Sequence, residues 1–200
     1  MPGLLGIVSG REPEDLPERL EQMIRPLHRH PWQQVERCVR ERAAFAAVRV
    51  KEATSFCERD GLLLGVHGEI YNQEALRKKL GGEGLPSPGP AAGNAELPEV
   101  LLRLYQSEGP AALAGLSGMY VILVWDEKLS RLTLINDRLG MGRVVYWQAK
   151  GRFLFAPEVK CLAAHPRFHR ELEELGVKPS VGYLMNVRNT RTAKTEDSHG

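Results

Sequence analysis

Cysteine is scarce in this chain: Cys38, Cys57 and Cys161 are the only three among 200 residues. Odd in number and widely spaced, they exclude a disulfide scaffold and a cysteine-rich zinc site, and they read as reduced thiols. A surplus of one charge is missing too. Lys and Arg number 27 against 25 Asp and Glu, a net charge of +2. The signs are interspersed, so neither a nucleic-acid nor an anionic-membrane surface is expected. No apolar run approaches a membrane span, and Met1 to Val8 lacks the basic start and long apolar core of a signal peptide. The expected location is cytoplasmic. Solenoid repeats, sustained heptads and a P-loop are all absent, and Gly140-Met141-Gly142 lacks the third glycine and helix of a dinucleotide fingerprint. No cofactor is expected. Cys161, His165 and His169 would share one face if a single helix spanned them, but Pro166 interrupts it, so no metal site is expected either.

What is present is the composition of a globular fold. Hydrophobic residues make up 42% and charged residues 26% of a chain long enough to bury a sizeable core. Leu4 to Val8 reads as a buried strand, and Leu16, Leu20, Met23, Ile24 and Leu27 give a helix over 14–27 helical spacing, with Pro17 in its first turn. Ala43–Val50 and Leu62–Val66 suggest an antiparallel pair. Asn72 is placed to cap a helix over Gln73–Leu80, which Gly81-Gly82 stops. The Gly- and Pro-dense stretch 81–93 reads as a surface loop. Leu97, Val100, Leu101 and Leu104 then mark the buried stripe of a helix ending near Gly109-Pro110, with a short Ala-rich helix after it. Gly118–Trp125, Arg131–Asn136, Arg143–Gln148 and Arg152–Ala156 read as a meander of antiparallel strands, and Pro157–Ala164 as a short helix. Two strand groups, each with its own helices, indicate a layered α+β domain over 1–170. Residues 171–200 read as a connector or tail, polar and nearly aperiodic from Asn186 onward.

Four stretches carry chemistry: Val66-His67-Gly68-Glu69-Ile70-Tyr71-Asn72; Gly118-Met119-Tyr120 leading to Trp125-Asp126; Asp137-Arg138-Leu139-Gly140; and Phe155-Ala156-Pro157-Glu158-Val159-Lys160. In this order and spacing the chain, from Met1 to Pro166, resembles the class II glutamine amidotransferase domain of the asparagine synthetase family. The resemblance implies a four-layer α-β-β-α sandwich of two antiparallel sheets, of N-terminal-nucleophile hydrolase type. Leu4, Ile7, Leu63, Val121, Leu123, Leu132, Leu134 and Phe155 keep the apolar character its inner faces need. It also implies a cysteine after the initiator Met, whose thiolate attacks the glutamine side-chain amide while its own α-amine shuttles the proton.

Here Pro2 stands at that position. His67 replaces the asparagine whose amide would join the next glycine's N–H in receiving the developing negative charge; Gly68 remains. One such donor is worth roughly 3 kcal/mol. The carboxylate expected to hold the glutamine α-amino group corresponds to Leu97, or to Asn94 with an insertion, and neither supplies it. Arg49 still matches the arginine that would clamp the α-carboxylate. The remaining substrate-binding set is therefore Arg49, His67, Gly68 and Glu69, with no catalytic residue. Each has a plainer reading: Arg49 as a structural arginine, Asn72 as a helix cap, Gly68 and Gly140 as turn residues, Asp137-Arg138 as a buried pair.

The resemblance thus implies a degenerate domain without glutaminase activity, a scaffold for an ATP-dependent synthetase domain in cis or in trans; a homodimer stays open. The pyrophosphate loop of such a synthetase domain is absent from these 200 residues, and Gly182–Thr192 weakly resembles its opening segment, which suggests a truncation. Two alternatives stand beside this reading: an active glutamine-hydrolysing asparagine synthetase fragment, and a stand-alone module binding a glutamine-like amino acid or a peptide around Arg49.

Overall fold

A computed structural model describes residues 2–10, 15–50, 55–81, 96–149, 151–174 and 191–194. The chain forms two compact units, one from Met1–Lys51, Arg143–Asn189 and Ala193–Gly200, the other from Glu52–Gly142 and Thr190–Thr192. Each holds one antiparallel sheet with helices, the α+β organisation that two strand groups with their own helices indicate.

The first unit's sheet has the strand order β2-β3-β1-β9-β8. Its strands are β1 (Gly3–Ser9), β2 (Gln34–Val39), β3 (Ala43–Arg49), β8 (Val145–Ala149) and β9 (Arg152–Ala156). β1 is central because all seven of its residues are buried, so it reads as an unbroken apolar run with a sheet face on either side. One face, through Leu5, Ile7, Ala44, Ala46, Val48 and Leu154, packs against α1 (Leu16–Ile24) and α4 (Val159–Ala163). Helix α1 starts where Asp15 accepts a hydrogen bond from the Glu18 amide, with Pro17 in the first turn. The opposite face carries Leu4, Gly6, Phe45, Ala47 and Phe155. Gly6 is required there, since a Cβ would lie 2.5 Å from the Phe45 ring and 2.6 Å from that of Phe155.

The second unit's sheet has the order β10-β7-β6-β5-β4, from β4 (Phe56–Arg59), β5 (Leu62–Ile70), β6 (Gly118–Asp126), β7 (Arg131–Asn136) and β10 (Arg191–Lys194). Leu64, Val66, Ile70, Tyr120, Ile122, Val124 and Ile135 face α2 (Gln73–Lys79), α3 (Leu97–Glu108) and the 3₁₀ turn Gly109–Leu113. The stripe Leu97, Val100, Leu101 and Leu104 is buried as its spacing requires. The other face alternates Leu63, Gly65, His67 and Glu69 with Trp125, Leu123, Val121 and Met119 of β6.

Several expectations are corrected. β3 and β5 do not pair: β3 lies between β1 and β2, while β5 lies between β4 and β6. The four C-terminal strands are not one meander, since β6–β7 belong to the second sheet and β8–β9 to the first. Asn72 occupies the N-cap position of α2 without capping it; its amide bridges Gly115 and Ser117 instead. Beyond α4 a further helix, α5 (Pro166–Glu174), begins at the proline expected to close the element. Cys161 therefore sits in α4 and His169 in α5, with His165 between them. Of the inner-face residues named from sequence, Ile7 lies on the helix side and Leu134 is only half-buried. The loop expected over 81–93 falls, beyond Gly81, outside the described residues. Of the stretch after 186, residues 191–194 form β10 beside β7. Among the described residues no helix is long and apolar enough to cross a membrane.

Candidate functional site

Pro2 and Arg49 belong to the first unit. β1 and β3 run antiparallel with Gly3 opposite Val48 and Leu4 opposite Ala47, so Pro2 precedes the end of β1 at which Arg49 closes β3. Directly opposed residues share a face. Arg49 therefore lies with Ala47 and Leu4 on the face away from α1 and α4. On β2, Gln34 opposes Arg49 and Glu36 opposes Ala47, which brings Glu36 onto the same face. Arg49 Nη1 lies 3.4 Å from Glu36 Oε2, with the two side chains 20% and 23% exposed. The pair is close but not aligned: Nε and Nη1 of Arg49 are buried with no hydrogen-bond acceptor among the described residues.

Sequence reading missed Glu36 because β2 itself was missed. Its residues, Gln-Val-Glu-Arg-Cys-Val, are mostly half-buried or exposed, and only the alternation of Val35, Arg37 and Val39 against Gln34, Glu36 and Cys38 betrays an edge strand. No thiol stands beside Pro2 in sequence. Cys38 opposes Phe45, four residues along β2 from the Arg49 level and about 13 Å away at the usual rise per residue. Cys161 is fully buried on the helix side, where burial foremost pushes its thiol up to about 12. Cys161 thus lacks the depressed pKa of a nucleophilic thiol.

His67, Gly68 and Glu69 belong to the second unit, at the end of β5. Gly68 has φ +116°, and a Cβ there would meet the Met119 carbonyl oxygen at 2.1 Å. Across the ladder Gly118 has φ +154° and the reciprocal approach, 2.0 Å to the Glu69 oxygen. The two backbones cross this closely only because neither residue carries a side chain. His67 and Glu69 flank this point on the face away from α3. Burial pushes the pKa of the His67 ring below the usual histidine range, so at neutral pH it is an uncharged imidazole with one N–H donor. Glu69 is exposed.

Beside this end of the sheet the loop after β7 is built on Asp137. Its buried carboxylate accepts from the Leu139 and Met141 amides at 3.1 and 3.0 Å, and from the Gly142 amide. Burial alone would raise this pKa, but the backbone donors win and hold it below the usual carboxylate value. Asp137 and Arg138 are thus not the buried pair expected, because Arg138 is exposed and loop amides satisfy Asp137. The loop displays Leu139, 82% exposed, and Met141, 58% exposed; Tyr71, 62% exposed, follows the end of β5.

Comparison with known proteins adds three findings. The sequence profile of the family described as "Glutamine amidotransferase domain" matches residues 1–195. Among curated proteins, the chain is 33% identical over 137 residues to asparagine synthetase [glutamine-hydrolyzing] 3 of Bacillus subtilis (strain 168), covering 64% of this chain and 22% of that one. It is 30% identical over 117 residues to asparagine synthetase [glutamine-hydrolyzing] 2 of the same organism, covering 58% and 15%, and 29% identical over 123 residues to asparagine synthetase B of Escherichia coli (strain K12), covering 61% and 21%. The aligned part is thus under a quarter of each relative's length. Among solved structures, the glutamine phosphoribosylpyrophosphate amidotransferase of B. subtilis matches 98% of this chain and 50% of its own, with a TM-score of 0.61 at 16% identity.

Proposed function

The chain belongs to the glutamine amidotransferase domain family, related to the asparagine synthetases, and from that premise we propose that it has no glutaminase activity and serves as a scaffold for an ATP-dependent amide-forming domain. The observation that carries this reading is Pro2, the residue at the family's nucleophile position, immediately before β1. A proline side chain offers no thiol or hydroxyl to attack an amide carbon, so the covalent intermediate cannot form there. Two further departures from the family's sequence pattern point the same way. At the asparagine position stands a half-buried neutral histidine, and the position of the carboxylate for the α-amino group is held by Asn94 or by Leu97, the first residue of α3 and buried in the core, neither of which supplies one.

The fold has been kept while the chemistry has gone. Both sheets retain buried apolar faces, and the Asp137 loop holds exposed Leu139 and Met141 on a fixed backbone. Exposed apolar side chains on a preorganised loop fit a surface that meets another protein. The test uses the 200-residue chain alone and co-expressed with an ATP-dependent amide-forming domain from the same source. Expected are co-elution, a raised unfolding midpoint and no glutamate release from glutamine by either sample. A soluble monomer whose elution and midpoint ignore the added domain overturns the scaffold role, in favour of the amino-acid or peptide binding module. Glutamate release overturns the loss of activity.

A further inference from the structure

We propose that Glu36 acts as an internal carboxylate on Arg49, closing this arginine to free amino acids, and that neutralising Glu36 opens Arg49 to a free carboxylate ligand. The inference deepens the reading given above and rests on it: the site that no longer turns glutamine over is also occupied by the protein itself.

The argument starts from the register. Gln34 opposes Arg49 and Glu36 opposes Ala47, so Glu36 is the diagonal neighbour of Arg49 on one sheet face, within reach of long side chains. Oε2 of Glu36 comes within 3.4 Å of Nη1. A guanidinium with two buried N–H groups cannot remain without a nearby anion, and Glu36 supplies the charge. It does not supply the hydrogen bonds: Nε and Nη1 have no acceptor among the described residues.

A pair shaped for its own sake looks different, and the same unit contains one. From the adjacent position on β2, Arg37 gives Nε to one carboxylate oxygen of Glu21 and Nη2 to the other, forming the fork that arginine makes with a fitted carboxylate. Arg49 makes no such fork. Its charge is balanced while Nε and Nη1 stay without an acceptor among the described residues, the condition of a carboxylate-binding group whose place has been taken by a neighbour on an edge strand. Because Glu36 is tethered to the same sheet, its effective concentration at Arg49 is high, and a free monocarboxylate loses the competition. Removing the Glu36 charge leaves the guanidinium uncompensated and free to take an external carboxylate.

The experiment titrates sodium glutamate into the full chain at constant ionic strength, by calorimetry and by the shift of the unfolding midpoint. The samples are wild type, Glu36→Gln, Glu36→Ala, and Glu36→Gln combined with Arg49→Ala. Expected is a gain in glutamate affinity of at least about tenfold in Glu36→Gln over wild type, abolished in the double variant. The near-isosteric glutamine keeps the test valid should the alanine variant fail to fold. Equal binding by wild type and Glu36→Gln, no binding by Glu36→Gln, or undiminished binding by the double variant each overturns the proposal. Glutamate release from glutamine, measured separately on wild type, would sink the underlying reading and leave the titration result standing.

Discussion

His67 shows how one residue can be singled out by position and still need the structure for its state. The motif around Gly68-Glu69-Ile70-Tyr71-Asn72 set it at the place of an amide donor; only its burial shows that the ring is held neutral. A histidine whose folded pKa lies below its unfolded value leaves the unfolded state binding more protons as pH falls. Its effect on stability is therefore absent above about pH 6.5, the unfolded value, and becomes a loss as pH drops through that value toward the folded one. Denaturation midpoints measured from pH 7.5 to 5 should fall more steeply for wild type than for His67→Gln; parallel curves would contradict the assignment. This window lies above the range where the depressed carboxylates Asp137 and Glu99 begin to protonate, so the histidine is read separately. Arg49 was singled out in the same way, by motif. Glu36 was not, because an acidic residue in a half-exposed strand carries no sign that it will face an arginine two positions along the neighbouring strand.

Helices and strands were largely found by their periodicity, but their partnerships were not. The apolar runs of β3 and β5 each announce a buried strand, yet nothing in either states which edge it joins. Sequence neighbours were assumed to pair, whereas the structure puts the two strands in different sheets and gives β5 the short β4 as its hairpin partner through Arg59-Asp60-Gly61. The same assumption merged β6–β7 with β8–β9. Gly68 of β5 could be read only as a turn residue, because its meaning lies in a backbone contact across the ladder. Gly68→Ala forces a Cβ against the Met119 carbonyl at positive φ, and about 3 kcal/mol of destabilisation is expected. Gly81→Ala is the control. Its φ is +76° but nothing lies within 4 Å, so only the conformational strain of about 1 kcal/mol applies. Equal losses in chemical denaturation would show that the strand contact contributes nothing.

At the scale of the molecule, sequence and structure agree on two antiparallel sheets with their own helices, and the family match extends over nearly the whole chain. Apolar alternation survives in both sheets because burial tolerates any side chain of suitable size and hydrophobicity. A catalytic site has no such tolerance. It needs a thiol, an amide donor and a carboxylate, and on the reading proposed above the residues at those sequence positions are Pro2, His67 and Leu97 or Asn94. Because these groups act as a unit, restoring one should recover little: Pro2→Cys alone is expected to leave glutamate release near background. The central claim is that the wild-type chain carries no N-terminal nucleophile. Its most direct measurement is the intact mass of the purified protein after incubation with a glutamine-analogue electrophile, followed by mapping of any modified peptide. The account predicts no N-terminal adduct on wild type, and a stoichiometric adduct there would contradict it.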